Sequence, residues 1–215
     1  MENAKNAFVF FIIFMLVLFA LSIIAAALYS LKIEGNLIAL GSVATEFSFL
    51  LSVLVYMSTY KGMSRNEIIS ALGIGKGRLS LRNVGLGIAI FMIMLMLSYV
   101  VGIVSTVTNT KISTNTQLIL ASEPLWFYVF MFTLTPFCEE ILFRGLMVPR
   151  IGIVISAILF GLGHANYGST FGIDIIAAFI FGVIAGWAFK RTKSLYPSMI
   201  AHGLVNLLAV AAYIF

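Results

Sequence analysis

The chain has 215 residues, 61% hydrophobic and only 10% charged, and its 13 Lys and Arg outweigh 8 Asp and Glu to give a net charge of +5. A soluble domain carries roughly 25% charged residues, so a mean hydropathy of +1.10 excludes a water-soluble fold and marks an integral, multi-pass membrane protein. One helical crossing of about 30 Å of hydrocarbon takes about 20 residues. The length therefore fits one all-α polytopic bundle of about seven transmembrane helices, a single domain over residues 1–215.

In chain order, hydropathy places spans at 7–29, 37–57, 84–106, 125–146, 151–164, 171–189 and 195–213, the fifth short and Gly-rich. Ala25, Ala26 and Ala27 resemble a signal-peptide cleavage site. The apolar run before them exceeds the roughly 7–15 residues of such a peptide, so the first span is expected to be a retained helix. Glu46 falls near the middle of the second span, where an isolated carboxylate is protonated or paired. It either lines a water-filled cavity or hydrogen-bonds between helices.

The interval 60–83 holds its own short helix. Ser64 and Glu67 form a capping box, Ile68, Ile69 and Leu72 an apolar stripe, and Gly73 a stop. Lys76, Arg78 and Arg82 beyond it are expected among anionic head groups. The stretch from Gly73 to Gly77 looks superficially like a phosphate loop, but lacks the Gly-x-x-x-x-Gly-Lys-Ser/Thr spacing and a preceding strand. Neither a nucleotide nor a nucleic acid is an expected partner. In the fourth span Pro136 can introduce a kink, and Cys138, the single cysteine, reads as a small buried residue. In the sixth, Gly182 and Gly186 permit close helix approach within the bundle.

Basic residues orient the bundle. With a cytoplasmic N-terminus, Lys5, Lys61, Arg65, Lys76, Arg78, Arg82, Arg144, Arg150, Lys190, Arg191 and Lys193 fall at or near the inner face, leaving only Lys32 and Lys111 outside. Six or eight spans would put a basic cluster on the wrong side. The plasma (cell) membrane is the expected location.

Chemistry concentrates in the second half. Glu139, Glu140 and Arg144 set three charges within six positions of an apolar span, each costing about 2.5–3.5 kcal/mol in hydrocarbon even on the lenient insertion scale. The two histidines, His164 and His202, also fall in or at the end of apolar spans. Phe160 with His164, His202 with Asn206, and Glu140 with Arg144 are each four apart, so each pair shares a helix face. At about 1.5 Å of rise per residue from the inner boundary, Glu139 lies roughly 13 Å deep, His164 roughly 16 Å, and His202 and Asn206 roughly 8 and 13 Å. All four are expected in one layer.

These residues resemble a family. Glu139-Glu140-Ile141-Leu142-Phe143-Arg144-Gly145 looks like the Glu-Glu-x-x-x-Arg motif of the CPBP intramembrane proteases, the group of type II CAAX prenyl endopeptidases, bacteriocin-processing proteins and abortive-infection proteins. Phe160-Gly161-Leu162-Gly163-His164 is similar to its second motif, and Thr192-Lys193-Ser194-Leu195 leading to His202-Gly203-Leu204-Val205-Asn206 to its third. The motif core covers 125–206 in the family's order. The resemblance implies an endopeptidase that cleaves a membrane-associated peptide or protein, including prenylated CAAX-type substrates. It implies Glu139 as the general base for water, assisted by His164, with His202 and Asn206 stabilising the oxyanion. Physical chemistry agrees: a carboxyl group in a low-dielectric cavity suits a general base, and Asn and His can donate to developing charge. Glu140 and Arg144 read as an ion pair that holds the helix, with Phe160 in support.

Three alternatives stand beside this reading. Glu139, His164 and His202 could hold zinc, as two histidines and a carboxylate do in hydrolytic sites, although His-Glu-x-x-His is absent; a metal-free site is the preferred expectation. A transporter would also place such groups at midplane, but the halves show no repeat. A non-catalytic immunity or scaffold protein would keep the fold without turnover.

Overall fold

A computed structural model describes residues 2–33, 36–109, 123–165 and 172–214. Lys111, expected on the outer side, lies outside these residues. The described chain is helical, without a strand among the described residues: α1 (Glu2–Ser30), α2 (Leu37–Val55), α3 (Arg65–Leu72), α4 (Leu81–Val107), α5 (Leu125–Glu140), α6 (Val148–Gly163), α7 (Ile173–Thr192) and α8 (Tyr196–Ile214). π-Helical segments extend α2 over Tyr56–Tyr60 and α5 over Ile141–Met147.

Five helical runs are long and apolar enough to cross a membrane. One of them, Leu125–Gly163, has 39 residues, which if straight would reach about 58 Å, twice the hydrocarbon thickness of about 30 Å. It does not run straight. Gly152 adopts φ 85° and ψ 171°, a conformation open essentially to glycine. Beyond it the Ser156 hydroxyl donates to the Phe143 carbonyl at 2.8 Å across 13 residues, a separation that a straight helix would stretch to about 20 Å. The run is thus two antiparallel segments, as the separate fourth and fifth spans require. With the shorter apolar helix Tyr196–Ala212, seven apolar segments result.

Small residues set the packing. A Cβ on Gly182 would lie 2.9 Å from Ala157, and one on Gly186 3.0 Å from Ile153, so the two glycines expected to allow close approach seat α7 on α6. At α3 the capping box forms: Ser64 Oγ and its backbone N–H both donate to the Glu67 carboxylate at 2.7 Å. The hydroxyl first, then the backbone N–H, holds that exposed carboxyl below the usual glutamate range. Gly73 ends the helix at φ 70°, where a Cβ would collide with the Lys193 carbonyl at 2.5 Å. The stop therefore also docks α3 on the α7–α8 turn, reinforced by the Leu195 N–H donating to Gly73 O at 3.2 Å.

Arg78 departs from its expected place among head groups. Its guanidinium donates to the Thr192 carbonyl at 3.3 Å, capping the C-terminal end of α7, where cations are favoured. Contacts between Asn6 and Lys61, Gly73 and Lys193, and Arg78 and Thr192 bring these basic segments to one end of the bundle.

Candidate active site

The polar groups of the second half converge. Glu139 (α5), His164 (after α6), and His202 and Asn206 (α8) line one cavity of about 290 Å³, together with Phe160. The common layer read from the spans corresponds to side chains that line one cavity.

Behind the cavity wall sits an ion pair. Arg144 Nη1 lies 2.8 Å from Glu140 Oε1, with the side chains 1% and 0% exposed. The guanidinium packs 4.1 Å from the Phe160 ring centre and 5.1 Å from that of Phe181, a geometry in which a desolvated cation is attracted to the aromatic face. Neither member of the pair lines the cavity. Phe160 is the packing hub, with ring centroids 4.7 Å from His164, 5.0 Å from Phe143 and 5.8 Å from His202.

His202 links this pair to the cavity. Its Nδ1 is 3.1 Å from Glu140 Oε1 and its Nε2 is 3.5 Å from Glu139 Oε2, so both ring nitrogens face carboxylates. Glu139 Oε2 is buried and has no hydrogen-bond partner. The His164 Nδ1 lies 2.9 Å from the Phe160 carbonyl; donating there leaves Nε2 as the unprotonated nitrogen.

Asn206 is positioned by the backbone of α5. Pro136 has no N–H to give the carbonyl of Phe132 four residues earlier. A Cβ on Gly203 would lie 2.9 Å from that oxygen, so glycine lets α8 approach it. One turn of α8 further on, Asn206 Nδ2 donates to the Met131 carbonyl at 2.8 Å. That uses one of its two N–H groups and leaves the other for a ligand. The helical distortion follows at Ile141–Met147 rather than at Pro136 itself.

Sequence reasoning named most of these residues but underplayed four. Glu46 of α2 lines the cavity beside Glu139 of α5, within hydrogen-bond reach of its carboxyl group, so it both lines the cavity and pairs between helices. Thr135, one turn before Glu139, lines it too, and its i−4 spacing was the available signal. Asp174 and Phe181 complete the wall and carried no signal beyond their residue types. Cys138 is buried and free. Among the described residues, no three His, Cys, Asp or Glu side chains are grouped to hold a metal. His202 Nε2 and Glu139 Oε2 face each other at 3.5 Å with Nδ1 held by Glu140, as two metal ligands would, but His164 is not gathered with them into a three-ligand set.

Fold and cavity together define a polytopic helical membrane protein whose bundle gathers ionisable side chains in a largely apolar cavity. Residues 121–208 match the family model described as type II CAAX prenyl endopeptidase Rce1-like. The matched stretch contains all three motifs and supports the resemblance to the CPBP family, which implies a peptidase working at the membrane. No curated protein and no solved structure matches the chain.

Proposed function

We propose that the protein is an intramembrane endopeptidase that hydrolyses a peptide bond of a membrane-associated substrate, with prenylated CAAX-type peptides the first class to test. The observation that carries this reading is the Glu139 carboxyl set beside His202 and Glu46 in a largely apolar cavity that Asn206 and His164 also line. In the proposed cycle a water in the cavity gives its proton to Glu139 and attacks the scissile carbonyl. His164 orients that water. The tetrahedral oxyanion receives hydrogen bonds from the uncommitted N–H of Asn206 and from His202 Nε2, which is released from its 3.5 Å contact with Glu139 once that carboxylate has taken the proton, a form of stabilisation commonly worth about 10²–10³ in rate per donor. The collapsing intermediate takes its proton back from Glu139 onto the leaving amine.

Glu140 and Arg144 act from behind. Glu140 fixes the His202 ring through Nδ1, and Arg144 holds Glu140 in place through their 2.8 Å contact. No step is routed through a metal. The basic end of the bundle is assigned to the cytoplasmic face of the plasma membrane, with the N-terminus inside.

The test is cleavage of a quenched, farnesylated CAAX peptide by purified protein in detergent, beside Glu139→Ala, with a chelator arm and a zinc arm. Cleavage lost in the variant and unaffected by chelator supports glutamate chemistry. Undiminished turnover in Glu139→Ala removes Glu139 from the mechanism, and chelator-sensitive turnover replaces the metal-free route. A correctly inserted wild type inactive on every peptide offered would favour the non-catalytic scaffold.

A further inference from the structure

A second cavity, larger at about 980 Å³, lies on the other side of Phe143 and shares with the first only Gly163. Its walls are apolar: Phe10 and Phe14 of α1, Phe49 of α2, Leu142 and Leu146 of the π segment, and Ile155 of α6. One end is different. Lys61 Nζ and Arg150 Cζ, from separate parts of the chain, lie 5.8 and 5.6 Å from the centre of the same ring, Tyr56, and both line the cavity. Lys61 donates to Asn6 Oδ1 at 2.9 Å and Arg150 to the Leu146 carbonyl at 2.8 Å.

Those acceptors are neutral, and among the described residues neither cation forms an ion pair with a carboxylate. Arg144, one turn before Val148, has Glu140. Two like charges converging on one ring repel unless an anion lies between them. Beyond the break at Gly152 the wall from Ile155 through Leu159 to Gly163 runs about 12 Å along its helix, comparable to the roughly 15 Å that one leaflet contributes to the hydrocarbon core.

We propose that this cavity binds one anionic glycerophospholipid, its phosphate between Lys61 and Arg150 and one acyl chain along Phe10, Phe49 and Ile155. The site shares no reacting group with the candidate active site and stands apart from the peptidase reading. Attraction of an anionic head group to each basic residue corresponds to about a fivefold preference, so the pair discriminates anionic from zwitterionic lipid by about 25-fold.

The experiment uses the full chain, delipidated in neutral detergent and titrated with phosphatidylglycerol or phosphatidylcholine of identical acyl chains. Bound copies are counted by native mass spectrometry. One tightly held phosphatidylglycerol is expected, at least tenfold preferred. Lys61→Gln with Arg150→Gln should bring the preference within about threefold, and Ile155→Trp should weaken both lipids alike. Should the double variant not fold, the wild type answers alone, because a preference set by two cations must decline as salt is raised. Equal binding of the two lipids, a preference unchanged by the substitutions, or one indifferent to salt would overturn the proposal and assign the cavity to ordinary boundary lipid.

Discussion

Arg144→Ala should be among the most damaging substitutions in the chain, through stability before chemistry. Arg144 and Glu140 are 1% and 0% exposed and 2.8 Å apart. Deleting the guanidinium leaves a carboxylate buried with only the polar side chains of His202 and Ser198 beside it. Removing one member of a buried pair costs about 3–5 kcal/mol, and loss of the contacts to Phe160 and Phe181 adds to it. At about 2–4 °C per kcal/mol for a chain of this size, the thermal midpoint in detergent should fall by about 6–20 °C. The double variant Glu140→Gln with Arg144→Met removes both charges and should recover at least half of that loss, because the penalty belongs to the orphaned charge and not to the absent bond. A single variant within about 1 kcal/mol of wild type, or a double variant no better than the single, would refute the reasoning. An Arg144 variant of normal midpoint but no cleavage would move Arg144 into the chemistry.

Asn206→Ala should lower kcat by about 100- to 1000-fold with substrate binding little changed; a loss confined to KM would contradict an oxyanion role. Gly182→Val places a side chain against Ala157, where even a Cβ would sit at 2.9 Å, and should cost about 1–3 kcal/mol by thermal unfolding in detergent. Ser64→Ala removes the hydroxyl that depresses the Glu67 carboxyl. A depressed carboxyl contributes stability above its unfolded value, about pH 4.3, and loses it as pH falls through the lower folded value. The wild type should therefore show an acid-side decline in midpoint that Ser64→Ala flattens, and identical pH profiles would remove that contribution.

Hydropathy located every span to within a few residues, because the cost of burying polar backbone and side chains in hydrocarbon leaves little choice. Capping at Ser64 and close packing at Gly182 were equally legible, being local or set by one missing side chain. The candidate site was half legible. Spacing of four residues established which side chains share a face, and rise per residue gave their depths, but neither gives the rotation of one helix against another. His202 therefore read as an oxyanion donor, with no sign that it stands between Glu139 and Glu140, 63 and 62 positions earlier. The same gap hid Arg78 at the end of α7 and the meeting of Lys61 and Arg150 at Tyr56, whose contacts join segments far apart in the chain.

The Phe132 carbonyl left without its N–H by Pro136 has a mechanical consequence. Gly203 rests against that oxygen, and one turn on Asn206 is tied to the neighbouring carbonyl of Met131, so α8 is pinned to α5 at two points about one helical pitch apart. A close backbone approach beside a hydrogen bond resists sliding and rolling of α8 against α5, and both contacts flank or include groups that line the chamber. The tolerance of the chamber is thus set by backbone, the stiffest material the chain has.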